Sequence, residues 1–227
     1  LIFSTAAVLW GSAALAQTDS KPASSYLVDL SNNHWCYECS ADIVDKYKVL
    51  SGYQDHTYRG DWSVNRYALA AAVARSFEYI QTQYGLDVYP EVTRKIPNIG
   101  VASDHWAFTY VHQLAVENEL LAQLFSDGKF HGEQAITRKE LAYAISEFMV
   151  YLEKKSGKQL MPERRKAQLA IDLEKRSPFN DYVELALNRY QFMNLYEDHT
   201  FRPEQTVTRY DLSASLCEIF KIFENLN

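Results

Sequence analysis

Leu195-Tyr196-Glu197-Asp198-His199-Thr200-Phe201-Arg202, followed after four residues by Val207-Thr208-Arg209-Tyr210-Asp211-Leu212, decides how this chain is read, because the phrase is written twice more upstream. One copy is Gly52-Tyr53-Gln54-Asp55-His56-Thr57-Tyr58-Arg59 with Val64-Asn65-Arg66-Tyr67-Ala68-Leu69. The other is Leu124-Phe125-Ser126-Asp127-Gly128-Lys129-Phe130-His131 with Ile136-Thr137-Arg138-Lys139-Glu140-Leu141. The arginines fall seventy-two and seventy-one residues apart, and in every copy a loop Asp stands eleven residues before the Arg and a loop aromatic eight before it. Self-similarity at a fixed period marks a supersecondary unit that buries its apolar face against its neighbours.

Outward from this phrase, each copy carries two helical patterns. Ile43, Val44, Tyr47 and Leu50 recur at helical spacing in the first; Tyr110, Val111, Leu114 and Ala115 in the second; Val183, Leu185, Ala186 and Tyr190, less regularly, in the third. The second helices start near residues 66, 138 and 209. Their starts have a local cause: Thr137 with Glu140 is a capping box, Thr208 with Asp211 a shorter-armed version, and Asn65 an N-cap without a reciprocal partner. The first halves agree less well. Trp35 stands seventeen residues before Gly52 and Trp106 eighteen before Leu124, while the third copy places Phe179 sixteen before Leu195 and has no Trp. Asp29-Leu30 and Asp172-Leu173 are equivalent, and the second copy has no counterpart. Segments 84–97 and 154–176 read as connectors, the second a solvated, charged stretch.

The order Asp, His-Trp, helix, Gly-Tyr-x-Asp-x-Thr-Tyr-Arg, Val-Asn/Thr-Arg-x-Glu-Leu resembles the S-layer homology domain. It is carried by Asp29, His34-Trp35, Gly52 to Arg59 and Val64-Asn65-Arg66; by His105-Trp106 and Ile136 to Leu141; and by Asp198 to Pro203 with Val207-Thr208-Arg209. The resemblance implies an all-α architecture of three helix-loop-helix repeats, at 27–82, 97–153 and 171–225, forming a pseudo-threefold helical body. It implies noncovalent, non-catalytic anchoring to cell-wall polysaccharide or a peptidoglycan-linked polymer, with Arg66, Arg138, Arg209, Trp35, Trp106, Gly52 and Asp29 as ligand-binding residues. The chemistry suits an anionic sugar: an Arg in the first turn of a helix adds a bidentate donor to the free N–H groups and positive dipole end. Leu124 and Leu195 stand where the first copy has Gly52, so fewer than three grooves are expected to work. The alternative is a protein-interaction subunit of an envelope complex.

The rest of the chain bounds these expectations. Residues 1–16 form an apolar run ending Ala14-Leu15-Ala16, which reads as an export signal whose basic n-region precedes Leu1, with 17–26 as linker. No later segment is apolar enough for a transmembrane helix, so a mature protein in the periplasm, in the cell wall or at the outer membrane is expected. A net charge of −6 offers nucleic acid no attractive field. Export favours disulfides; Cys36 and Cys39 are the candidate local pair, with Cys217 in apolar company. Trp35-Cys36-Tyr37-Glu38-Cys39 is similar to the thioredoxin motif but lacks its βαβ setting. From Asp127, Lys129 and His131 occupy positions where an EF-hand needs oxygen ligands. There is no nucleophile elbow, phosphate loop or His-Glu-x-x-His helix, so neither enzyme, metal nor cofactor is expected.

Overall fold

Three long helices begin where the caps place them. α2 (Arg66–Tyr84) starts with Asn65 Oδ1 accepting from the amide of Ala68. α4 (Arg138–Ser156) starts with Glu140 reaching back to the amide of Thr137. In α6 (Arg209–Glu224) Thr208 and Asp211 exchange both bonds of the box. α2 and α4 stop at Gly85 and Gly157, both left-handed, where a residue without Cβ ends a helix at least cost. Each long helix follows a loop and a shorter element: α1 (Tyr37–Asp45), α3 (Phe108–His112) and α5 (Asn180–Glu184). α3 and α5 each run on into a wide turn, at Gln113–Glu117 and Leu185–Arg189. The computed structural model describes residues 21–86, 99–125, 127–162 and 166–225; the expected leader lies outside them, with parts of both connectors. α4 extends to Ser156, so the charged connector begins later than its composition suggests.

Apolar residues at helical spacing turn the long helices toward one core. Leu69, Val73, Phe77 and Ile80 of α2 meet Leu141, Ile145, Phe148 and Leu152 of α4 and Leu212, Leu216, Ile219 and Phe223 of α6. The protein is thus helical, its extended pairing reduced, among the described residues, to three isolated bridges. Those bridges have an ordered pattern. The amide of Ile136 donates to Val64 O, that of Val207 to Ile136 O and that of Val64 to Val207 O, at 2.8–3.0 Å. A closed ring of three bonds therefore ties the entries of α2, α4 and α6 to one another.

The ring continues into the helix starts. Arg66 N donates to Gln134 O, Arg138 N to Gln205 O and Arg209 N to Trp62 O; the next amides, of Tyr67, Lys139 and Tyr210, donate to Gly132, Pro203 and Gly60. The first free N–H groups of each helix are consumed by the following segment's loop. The expectation that they greet an anion is corrected here: orphan helix donors must be satisfied, and the neighbouring loop does so first.

Cys39 of α1 is bonded to Cys217 of α6, with Cα atoms 5.5 Å apart, and Cys36 is the buried free thiol. The expected Cys36–Cys39 pair is therefore corrected. Both cysteines face α6: Cys36, at the N-cap of α1, points its thiol at Tyr210 O in the first turn of α6, and Cys39, one turn on, meets Cys217 two turns further along it. Burial pushes the Cys36 thiol up, which disfavours its thiolate.

Candidate binding grooves

The loop preceding each long helix is a built turn. Asp55 accepts from the amide and hydroxyl of Thr57 and from Arg59, and Asp198 does the same with Thr200 and Arg202. Those bonds hold both carboxyls down to about 2. Arg59 and Arg202 sit at φ 57° and 56°, a left-handed backbone that side chains disfavour. An upstream carboxylate holds them there. Asp29 accepts from the amides of Tyr58 and Arg59, and Asp172 from those of Phe201 and Arg202. Asp29 therefore spends a bond from each oxygen on positioning the loop. In the second segment, which has no such Asp, the carbonyl of Ile99 accepts from Phe130 instead.

The two motif tryptophans, Trp35 and Trp106, each follow a histidine that closes a tight turn over them. His34 Nδ1 accepts from the amide of Cys36, and His105 Nδ1 from that of Ala107. In the third segment Ser177 Oγ accepts from Phe179. The residue structurally equivalent to Trp35 and Trp106 is thus Pro178, one position before the Phe179 that spacing suggested; Phe179 corresponds to Cys36 and Ala107. Trp35 is 70% and Trp106 58% exposed. Their surroundings are alike: His34 stacks on Tyr210 with ring centroids 3.9 Å apart, and His105 lies tilted against Tyr67 at 4.3 Å. A Cβ on Gly60 or Gly132 would lie 2.0 Å from those tyrosine rings, so glycine is required at both places.

The three motif arginines reach into the next segment and meet different company. Arg66 is 5% exposed, donates to Leu124 O and Phe130 O, and pairs with Glu140 at 2.7 Å. Tyr143 and Leu124, both fully buried, complete that junction, where Gln123 N donates to the Tyr143 hydroxyl. Arg138 is 8% exposed and donates through Nε to Phe201 O at 2.7 Å and through Nη2 to Asn194 O at 2.9 Å. Burial pulls its guanidinium below the ordinary value, yet an arginine stays charged. Arg209 is half-buried, donates to Ser51 O and lies 4.7 Å from the Tyr58 ring. Gly52 follows that acceptor; a Cβ there would press on Leu27.

The Arg138 junction opens into a groove. It holds about 590 Å³ open to solvent and is lined by Trp35, Arg138, Asn194, Tyr196, Asp211 and Ser215, with apolar walls from Phe192 to Leu195. Trp35 thus joins an arginine from a different copy of the motif, a pairing that linear spacing does not reveal. The sequence reading also missed Glu140 as the partner of Arg66, although a carboxylate in the first turn of the neighbouring helix was a visible signal. Among the described residues no cluster of three or more His, Cys, Asp or Glu could hold a metal ion, and no helix is long and apolar enough to cross a membrane.

No curated protein matches the chain. Residues 172–212, from the Asp172 that clamps the third loop to the first turn of α6, match the family model of the S-layer homology domain, and the chain therefore carries an S-layer homology domain.

Proposed function

We propose that this chain is a non-catalytic attachment protein of the bacterial envelope, built as three S-layer homology repeats (27–82, 97–153 and 171–225) in a pseudo-threefold body. S-layer homology domains in general anchor proteins to cell-wall polymers. Support for two further copies comes from the closed ring of hydrogen bonds at the three helix entries and from the matching Asp, His and Arg contacts. The observation that carries the binding reading is the groove over Arg138. An exposed Trp35 ring gives a flat face for sugar C–H groups, Arg138 supplies positive charge, and Asn194, Asp211 and Ser215 bring polar groups for hydroxyls. The ligand we infer is cell-wall polysaccharide or a peptidoglycan-linked polymer, reached after export directed by residues 1–16. Arg209 beside Gly52 is the second binding candidate, with Trp106; Arg66 we assign to holding two repeats together.

A second reading, a protein-interaction subunit of an envelope complex, is favoured by the filled Arg66 junction, since a degenerate repeat needs no polymer. Sedimentation with the host's sacculi, intact and stripped of attached polymers, separates the two. Wild type pelleting with intact sacculi, and Arg138→Ala and Trp35→Ala staying in solution while folded, is the expected result. A wild type that never pellets would sink the anchor reading.

A further inference from the structure

Trp62 is an exposed tryptophan that the fold does not require. Its amide donates to Arg59 O and its carbonyl accepts from Arg209 N. Gln134 makes the same two bonds, to His131 and from Arg66, and Gln205 makes them to Arg202 and from Arg138. The turn is thus built twice with glutamine, and its two backbone bonds do not need the indole. The ring is 60% exposed. Its inner neighbour is the Arg59 guanidinium at 4.4 Å, which also lies 4.0 Å from the half-exposed Tyr53 ring. Arg209 approaches Tyr53 at 5.3 Å. Cations and rings therefore alternate, Arg209, Tyr53, Arg59, Trp62, from the junction of the first and third segments out to solvent. Arg59 is fixed by Asp55 at 2.8 Å and by Thr57 at 3.0 Å, so the ladder is pre-organised. The third segment has Arg202 3.8 Å from Tyr196 but ends there, at Gln205.

We propose that this ladder is a second glycan-contact surface, on which a pyranose ring of the wall polysaccharide stacks against Trp62 with its hydroxyls toward Arg59, Asp55 and Asp61. The inference deepens the anchor reading and rests on it. A polysaccharide is the occupant that fits: the ring is flanked by exposed Asp61 and Ser63, and a flat ring edged by polar groups is what a sugar with its hydroxyls turned outward stacks on. A polymer chain can engage two places at once, which multiplies weak contacts.

The test uses Trp62→Gln, the residue that both other turns carry, and Trp62→Phe, which keeps a stacking face. The probe is the host's sacculi with polymers attached, with the soluble polysaccharide released from them as competitor. Trp62→Gln is expected to weaken binding by about two- to tenfold, the range of one aromatic stacking contact, with an unchanged unfolding midpoint, and Trp62→Phe to retain most of it. Trp62→Gln binding like wild type while Arg138→Ala is weakened would overturn the ladder and leave the groove standing. Equal weakening by Gln and Phe would overturn stacking. A wild type that does not bind would overturn both proposals together.

Discussion

The Arg66 and Arg138 junctions start from the same motif position and end differently. At both, an arginine in the first turn of a long helix donates to loop carbonyls of the following segment. Two of the three facing residues differ. Arg66 meets Glu140, Tyr143 and Leu124, whereas the corresponding residues around Arg138 are Asp211, Ala214 and Leu195. Glutamate is long enough to cap Thr137 and still reach Arg66. Aspartate, one methylene shorter, keeps its bonds at Thr208. A tyrosine occupies the volume that an alanine leaves empty. One junction is therefore a sealed strut and the other a groove, and side-chain length and volume account for the difference.

The sharpest break in that comparison comes from Arg66→Ala. It strands Glu140 in the interior, and removing one partner of a buried pair costs about 3–5 kcal/mol; urea unfolding should show it. Arg138→Ala should lose less, about 1–3 kcal/mol, because the groove lets water reach the abandoned carbonyls. Equal losses would mean that the two junctions are energetically alike.

The third junction extends the comparison. At the positions of Glu140 and Tyr143 the first long helix carries Ala68 and Ala71, and between the third and first segments α1 and α6 are joined by Cys39–Cys217 and by Glu224 bonded to Lys46 and Tyr47. Cys217→Ala, or reduction of the wild type, should cost about 2–4 kcal/mol. A thermal midpoint unmoved by dithiothreitol would show that the covalent tie is redundant.

Ala214→Tyr transplants the Tyr143 plug into α6. It should close the groove and weaken sacculus binding on the order of tenfold, worth about 1.4 kcal/mol. Undiminished binding would place the polymer elsewhere. The smallest effect concerns Glu147, whose carboxyl is pushed up by burial against bonds from Leu121 and Tyr143. A group raised in the folded state favours folding when protonated, so its contribution is complete below the unfolded value and lost as pH rises through the folded one. Glu147→Gln should therefore flatten the pH dependence of stability between weakly acidic and neutral conditions. The expected shift is below the roughly 2–4 °C that 1 kcal/mol is worth in a chain of this size.

Helix starts, loop turns and the core face were readable from residue order because their causes are local: a cap acts over three residues, an Asx turn over two, and burial follows a 3.6-residue period. The site was only half readable. Arg138 and Trp35 were candidates by type, but 103 positions of chain separate them, and their meeting depends on how the segments close into a ring. Phe179 was misaligned with Trp35 by one residue because the hydrogen bond that defines the position is accepted by Ser177, which shares no chemistry with imidazole except an acceptor.

Residue order alone dictates three similar capped segments, each ending in an amphipathic helix headed by an arginine, because those features need only near neighbours. Folding assigns the arginines their separate fates. Whether a guanidinium is sealed or open is set by a carboxylate and a ring contributed by the next segment, and which cysteine Cys39 bonds is set by a helix 178 residues away. Such contacts follow from packing, where the distance that matters is through space.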